Sequence, residues 1–204
     1  MAAVRLRTGR LRIVGLVAAT TAAALVWGSP AQAATVPTAQ RLQSSLLTIQ
    51  NLPPGWSKTN AVTATTKSCY SNPIWKVPYA AKASAAFRVN DSVPQLVEQL
   101  ASFPNAHAAY LQVVAGLNRC SSFSETVQGQ KLVGTISPIS NKRFGNESSS
   151  FTANLTVQGT QLDQEFVIAR KGSTLAAVAV GDYGAVDNQL LNQMTAKAVR
   201  LIPS

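Results

Sequence analysis

One histidine and two cysteines in 204 residues leave little for metal or thiol chemistry. They exclude zinc fingers, iron–sulfur ferredoxins and disulfide-dense small scaffolds, which need clusters of such ligands. Charged residues are also scarce, 13% against 46% hydrophobic, and that balance excludes intrinsic disorder, collagen-like repeats and coiled coils. No hydrolase signature of the G-x-S-x-G, S-x-x-K or H-E-x-x-H kind occurs, and no glycine-rich phosphate loop; Gly145 and Gly172 read as turn glycines. The longest apolar stretch free of charge, Ile13 to Trp27, has 15 residues. A bilayer-spanning helix needs about 20.

What is present begins with an export signal. Arg5, Arg7, Arg10 and Arg12 form a basic start, the apolar stretch follows, and Ser29-Pro30 breaks it. Ala31-Gln32-Ala33 then offers the small–x–small pattern of a signal peptidase site, so residues 1–33 are expected to be removed and 34–204 to form the mature domain. No cysteine stands directly after the apolar stretch, so a lipid anchor is not expected. Cleavage removes four arginines and leaves 14 basic residues against 8 acidic, a net +6. These charges are scattered without interleaved aromatics, which argues against a nucleic-acid partner. A mildly cationic surface suits anionic envelope polymers or lipid head groups, or serves solubility alone.

In an oxidising compartment the two cysteines, Cys69 and Cys120, are expected to pair. A catalytic thiol would need His107, the only histidine. Trp56, Tyr70, Trp75 and Tyr79 string along a proline-interrupted stretch from 56 to 79 that reads as irregular and contains Cys69. Two readings stay open: a tethered aromatic recognition loop, or a lid whose aromatics cover the core.

Elsewhere the pattern is regular. Arg41 to Thr48 has short helical spacing, stopped by Pro53-Pro54-Gly55. Ser84 to Val89 reads as a strand, while Val93 to Phe103 fits a helix or a strand equally. Asn105 to Arg119 is a capped helix with an apolar stripe of Ala106, Ala109, Tyr110, Val113, Val114 and Leu117. Strands are expected at 123–128, 131–139, 150–158, 162–170 and 173–180, the last apolar on both faces and therefore central. A helix over 187–202 with Leu190, Leu191, Met194, Ala198 and Leu201 inward closes the chain. This order implies one α+β domain of two layers, an antiparallel sheet with a few helices.

Candidate chemistry is thin. Asp163 and Glu165 share a strand face, the pairing a glycosidase uses, but such pairs more often face water. His107 lies off the apolar stripe of its helix and reads as a surface or locally bonded residue. No metal site, cofactor or catalytic group is expected.

Read together, Leu46-Leu47, Leu52-Pro53-Pro54-Gly55-Trp56, the strand around Phe87, Val97-Glu98-Gln99-Leu100, Phe103-Pro104 and Cys120-Ser121-Ser122-Phe123 are familiar. The chain resembles the exported sensor-domain proteins of actinobacteria, similar to the extracellular domain of PknH-type receptor kinases. The resemblance runs from about Leu46 to the C-terminus. It implies a curved antiparallel sheet with packed helices and a ligand cleft, and favours a strand at 93–103. It departs in having one possible disulfide where those ectodomains have two, and in lacking a kinase domain and membrane anchor, so only binding carries over. The expectation is a secreted or envelope-associated, non-enzymatic monomer that binds a small molecule, an envelope component or a protein. Its site is placed on the concave sheet face with Trp56, Tyr70, Trp75, Tyr79 and Arg88. The alternatives are a secreted hydrolase with an unusual site and a structural protein of the envelope.

Overall fold

The computed structural model describes residues 35–60, 68–90, 93–127 and 129–203; the expected leader, 1–33, lies outside them. Among the described residues three helices, α1 (Ala39–Ser44), α2 (Ala106–Asn118) and α3 (Asn188–Leu201), accompany eight strands. The strands are β1 (Trp56–Thr59), β2 (Ala81–Val89), β3 (Gln95–Ser102), β4 (Ser122–Val127), β5 (Gln130–Ile139), β6 (Glu147–Val157), β7 (Thr160–Lys171) and β8 (Thr174–Asp182). They form one open antiparallel sheet in the order β1-β2-β3-β8-β7-β6-β5-β4. The α+β class and the antiparallel sheet agree with the sequence reading. The ambiguous 93–103 segment is a strand.

Period-two alternation divides the core between the two sheet faces. On β7, Val167 and Ala169 join one cluster while Phe166 and Ile168 join the other; on β8, Val178 and Val180 oppose Leu175 and Ala177. The first face packs on α1 and α3 through Leu42, Leu47, Leu191 and Met194, the second on α2 through Tyr110, Val113 and Leu117. The helices thus lie on both sides of the sheet, so the packing has a helical layer on each face. β8 sits between β3 and β7, as its two apolar faces implied.

Caps and turns follow local chemistry. The Asn105 side chain accepts from the Ala108 N–H at 3.0 Å and Asp187 from Leu190 at 2.9 Å, satisfying free donors at the starts of α2 and α3. Lys171 Nζ donates to the Ile202 carbonyl at 2.6 Å and stops α3 at its negative end. The inward stripe of α3 ends on Ile202 rather than Leu201, which is 38% exposed. Leu191, Thr195, Ala198 and Ile202 hold the helical spacing and Leu201 falls a hundred degrees away. The stretch from 56 to 79 is also less irregular than its prolines suggest. Trp56–Thr59 pairs with the edge of β2 and Pro73–Trp75 forms a 3-10 turn, while 61–67 lies outside the described residues.

One polar group lies at the centre of the first face. Glu98 on β3 is fully buried between Leu96 and Leu100, and its Oε2 accepts the Leu47 N–H at 2.6 Å while Oε1 has no partner. This bond fixes the chain just after α1, where Leu46 and Leu47 turn into the core. Burial raises the carboxyl pKa from its ordinary 4.5 to about 7, against the smaller lowering effect of the Leu47 N–H. The folded state therefore binds this proton more tightly than the unfolded chain. The resulting stability is complete below pH 4.5, fades as pH climbs, and is gone above about 7. Glu98→Gln keeps an acceptor for Leu47 without the charge. It should raise the melting temperature at pH 8 and flatten its decline between pH 4.5 and 7, measured by calorimetry across that range. Gly145, at φ 64°, gives a second prediction: a Cβ there would collide with the Arg170 carbonyl oxygen. Gly145→Ala should cost about 2–3 kcal/mol in urea unfolding, from steric and backbone strain together.

Candidate functional site

The aromatic segment 68–80 lies on the α2 side of the sheet. Cys69 is bonded to Cys120, just past the end of α2, with Cα atoms 5.7 Å apart. Ser68 Oγ donates to Glu125 Oε2 at 2.6 Å and accepts the N–H groups of Tyr70 and Ser71, making a tight polar turn over β4. Asn72 takes a left-handed conformation, φ 48°, and its Oδ1 accepts from Gln99 Nε2 of β3 at 2.5 Å. Pro73 then opens the 3-10 turn and Ile74 is driven fully into the core. Three anchors, covalent, polar and apolar, hold the segment down.

This places the five expected site residues in four locations. Tyr70 stacks on Phe123 at 4.5 Å between centroids and meets Phe166 edge-on at 6.1 Å. Burial, helped by the nearby Glu125 carboxylate, pushes its phenol pKa well above the ordinary 10. Tyr70 is half-buried, with its ring stacked against the α2-side core. Trp75 and Tyr79 pack against the same core and are likewise half-buried, and the Lys82 ammonium sits 4.5 Å from the Trp75 ring centroid and 5.3 Å from that of Tyr79. Such a cation over two rings is held electrostatically. Arg88 shares this face of β2 with Lys82 and Ser84 but stands six residues on, roughly 20 Å away by strand rise. Trp56 is on the opposite face, packed with Leu52 against the α1–α3 core. Its partner across the ladder, Val89, neighbours Arg88 and so points the other way.

Lys82 was missed by the sequence reading although the signal was there. Ala83, Ala85 and Phe87 alternate with Lys82, Ser84 and Arg88, which sets both cations on one face. Lys76 donates to the Ser68 carbonyl, and its amine pKa is lowered, chiefly by burial, with Glu125 acting in the other direction.

His107 and the acidic pair have structural partners. His107 is mostly exposed and its Nδ1 lies 2.8 Å from Glu147, which also pairs with Arg170. The His107 hydrogen bond, followed by that of Arg170, holds the Glu147 carboxyl below its ordinary range. Tyr110 and Ser149 share a hydrogen bond of 2.8 Å beside this cluster. Together these contacts fasten the N-terminal half of α2 to β6 and β7. Asp163 accepts from Gln161, and Glu165 from Asn188 at the start of α3, both at 3.3 Å.

Two cavities lie away from the aromatic segment, on either side of the loop 140–146. The larger, about 630 Å³, runs along α3 beside Phe144 under Asn188, Gln189, Asn192 and Gln193. The smaller, about 300 Å³, lies between the loop, β6 and the end of α2. Lys142 borders both. Among the described residues no helix is long and apolar enough to cross a membrane.

This architecture has a solved counterpart. The crystal structure of the extracellular domain of PknH from Mycobacterium tuberculosis superposes with a TM-score of 0.64, covering 82% of this chain and 97% of that one. The fold is that of the PknH extracellular domain. Sequence identity is 10%, so the likeness is one of fold. No family model and no curated protein matches the sequence.

The disulfide generates a prediction independent of ligand. Cys69 and Cys120 are 51 positions apart, and closing such a loop in the unfolded chain is worth about 4 kcal/mol in the chain-entropy model. Cys69→Ala with Cys120→Ala should lower unfolding stability by up to that amount and expose the Trp75 indole. Iodide quenching of tryptophan fluorescence, read alongside urea unfolding, checks both effects.

Proposed function

We propose that this chain is an exported, non-catalytic sensor-like domain that binds a ligand or partner at the cell envelope or outside the cell. The observation that carries this reading is the fold likeness to an extracellular sensor domain. The leader-like residues 1–33 and the Cys69–Cys120 bond support it, because a disulfide persists in an oxidising compartment. A binding surface consistent with the geometry is narrower than the sequence suggested: Trp75 and Tyr79 with Lys82 between them, continuing along β2 through Ser84 to Arg88. Half-buried aromatic rings held in place by a bonded loop offer contact area at little entropic cost, and two cations along one strand favour an anionic or polar partner. Trp56 has no part in that surface, since it packs on the other face, and Tyr70 gives its ring to Phe123 and Phe166 rather than to Lys82.

The test uses protein secreted by its own host. Its N-terminus should be Ala34 and its mass two hydrogens short of the reduced chain. Native mass spectrometry should show an adduct that leaves on activation from the wild type and is absent from Trp75→Ala. An intact leader, or a bare wild-type protein that also shows no partner by crosslinking in the same medium, would sink the reading.

A further inference from the structure

We infer that the smaller cavity, of about 300 Å³, is an oxyanion-binding pocket, separate from the aromatic surface. It exists because two neighbouring strands end at different heights. β6 continues along β7 as far as Glu147, but β5 leaves β6 at Ile139, opposite Ser150. Ser148 and Ser149 therefore border a gap that the departing strand opens, and the following loop curls round it carrying Ser140, Asn141, Lys142 and Arg143.

The chemistry of the wall is one-sided. Its side chains offer serine hydroxyls, side-chain amides and two cations, and no carboxylate lines it. Ser148 Oγ accepts the Phe144 N–H at 2.9 Å, so its own proton is left to donate. Ser149 shares its bond with Tyr110, and with the phenol as donor the serine proton is likewise left to donate. Asn141 Oδ1 accepts the Lys142 N–H at 2.7 Å, while its Nδ2 is buried and has no acceptor in the protein. A buried donor left so costs about 1–3 kcal/mol, which an acceptor placed within reach recovers. Lys142 and Arg143 are exposed at the rim, and neither forms an ion pair among the described residues. The nearest acid along β6, Glu147, is already held by His107 and Arg170.

Donors and cations without a competing acid select a group that only accepts hydrogen bonds and carries negative charge: a phosphate, sulfate or carboxylate. Pockets for small molecules run from about 300 to 1,000 Å³, so this one takes a small anion or the anionic end of something larger.

Heteronuclear NMR of the mature, oxidised protein tests this with three probes: inorganic phosphate, sulfate and acetate, against chloride at equal ionic strength and glucose as a neutral control. Saturable shifts are expected at the Ser148 and Ser149 amides and the Asn141 side-chain amide. The strongest of the three probes distinguishes a tetrahedral oxyanion from a carboxylate. Asn141→Asp retains the acceptor for the Lys142 N–H but replaces the unpartnered donor with a charge, and should abolish saturation in an otherwise unchanged spectrum. Lys142→Ala with Arg143→Ala should weaken binding roughly tenfold, the loss expected for charge-assisted contacts at a partly exposed rim. Shifts that are linear, equal in chloride, produced by glucose, or unchanged in Asn141→Asp would overturn the assignment. None of these outcomes depends on Trp75, so the pocket and the aromatic surface stand or fall separately.

Discussion

Two adjacent strands, β7 and β8, are apolar on both faces, and the rest of the molecule is arranged to keep water from both. An antiparallel sheet can leave one face wet when its strands alternate, and β6 does so with Asn154 and Thr156 exposed. At the centre of the sheet that option is closed. α3 and the short α1 cover one side, and α2 covers β5, β7 and β8 on the other. α2 does not reach far over β3, and there the 3-10 turn at Pro73–Trp75 lies beside it and buries Ile74. The disulfide belongs to the same problem, since it ties that covering segment to the helix whose work it extends.

Most of this was legible because burial has a period. The clean alternation of Phe151, Ala153 and Leu155, the double-sided run in β8, and the stripes of α2 and α3 each report their own surroundings. What stayed hidden depends on other parts of the chain. Nothing local marks Glu98 as buried, because its neighbours Val97 and Gln99 point the opposite way and its partner, Leu47, is 51 residues distant. β1 was hidden for a similar reason: four residues among prolines acquire a strand conformation only from the edge of β2. The candidate site was read less well than the fold. Aromatic residues close in sequence were taken together, and the sheet separates Trp56 from the others by placing it on the far side. The cation that does meet two of them, Lys82, comes from a strand the reading had cut short.

The structure also splits two roles that an aromatic loop can play. Ile74 serves the core, and Tyr70, Trp75 and Tyr79, all half-buried, lie between core and surface. Concave space lies elsewhere, where β5 parts from β6 and where α3 meets the loop at Lys142. A likeness of fold at 10% identity carries the scaffold without carrying a site, so each surface has to be judged on its own chemistry.

The β3–β8 pairing sets the order in which the molecule can be assembled. Gln95 lies opposite Gly181 and Ser102 opposite Thr174, so the N-terminal strands join the sheet only through a strand made near the end of synthesis. β4 to β8 form from successive hairpins and can gather as their residues appear, and β1 to β3 pair with one another; the two groups meet only once β8 is made. Pairings over such long stretches of chain are slow to close. The two groups of strands are therefore joined by a single ladder, residues 95–102 against 174–181, and opening that one seam would part the sheet into two smaller ones.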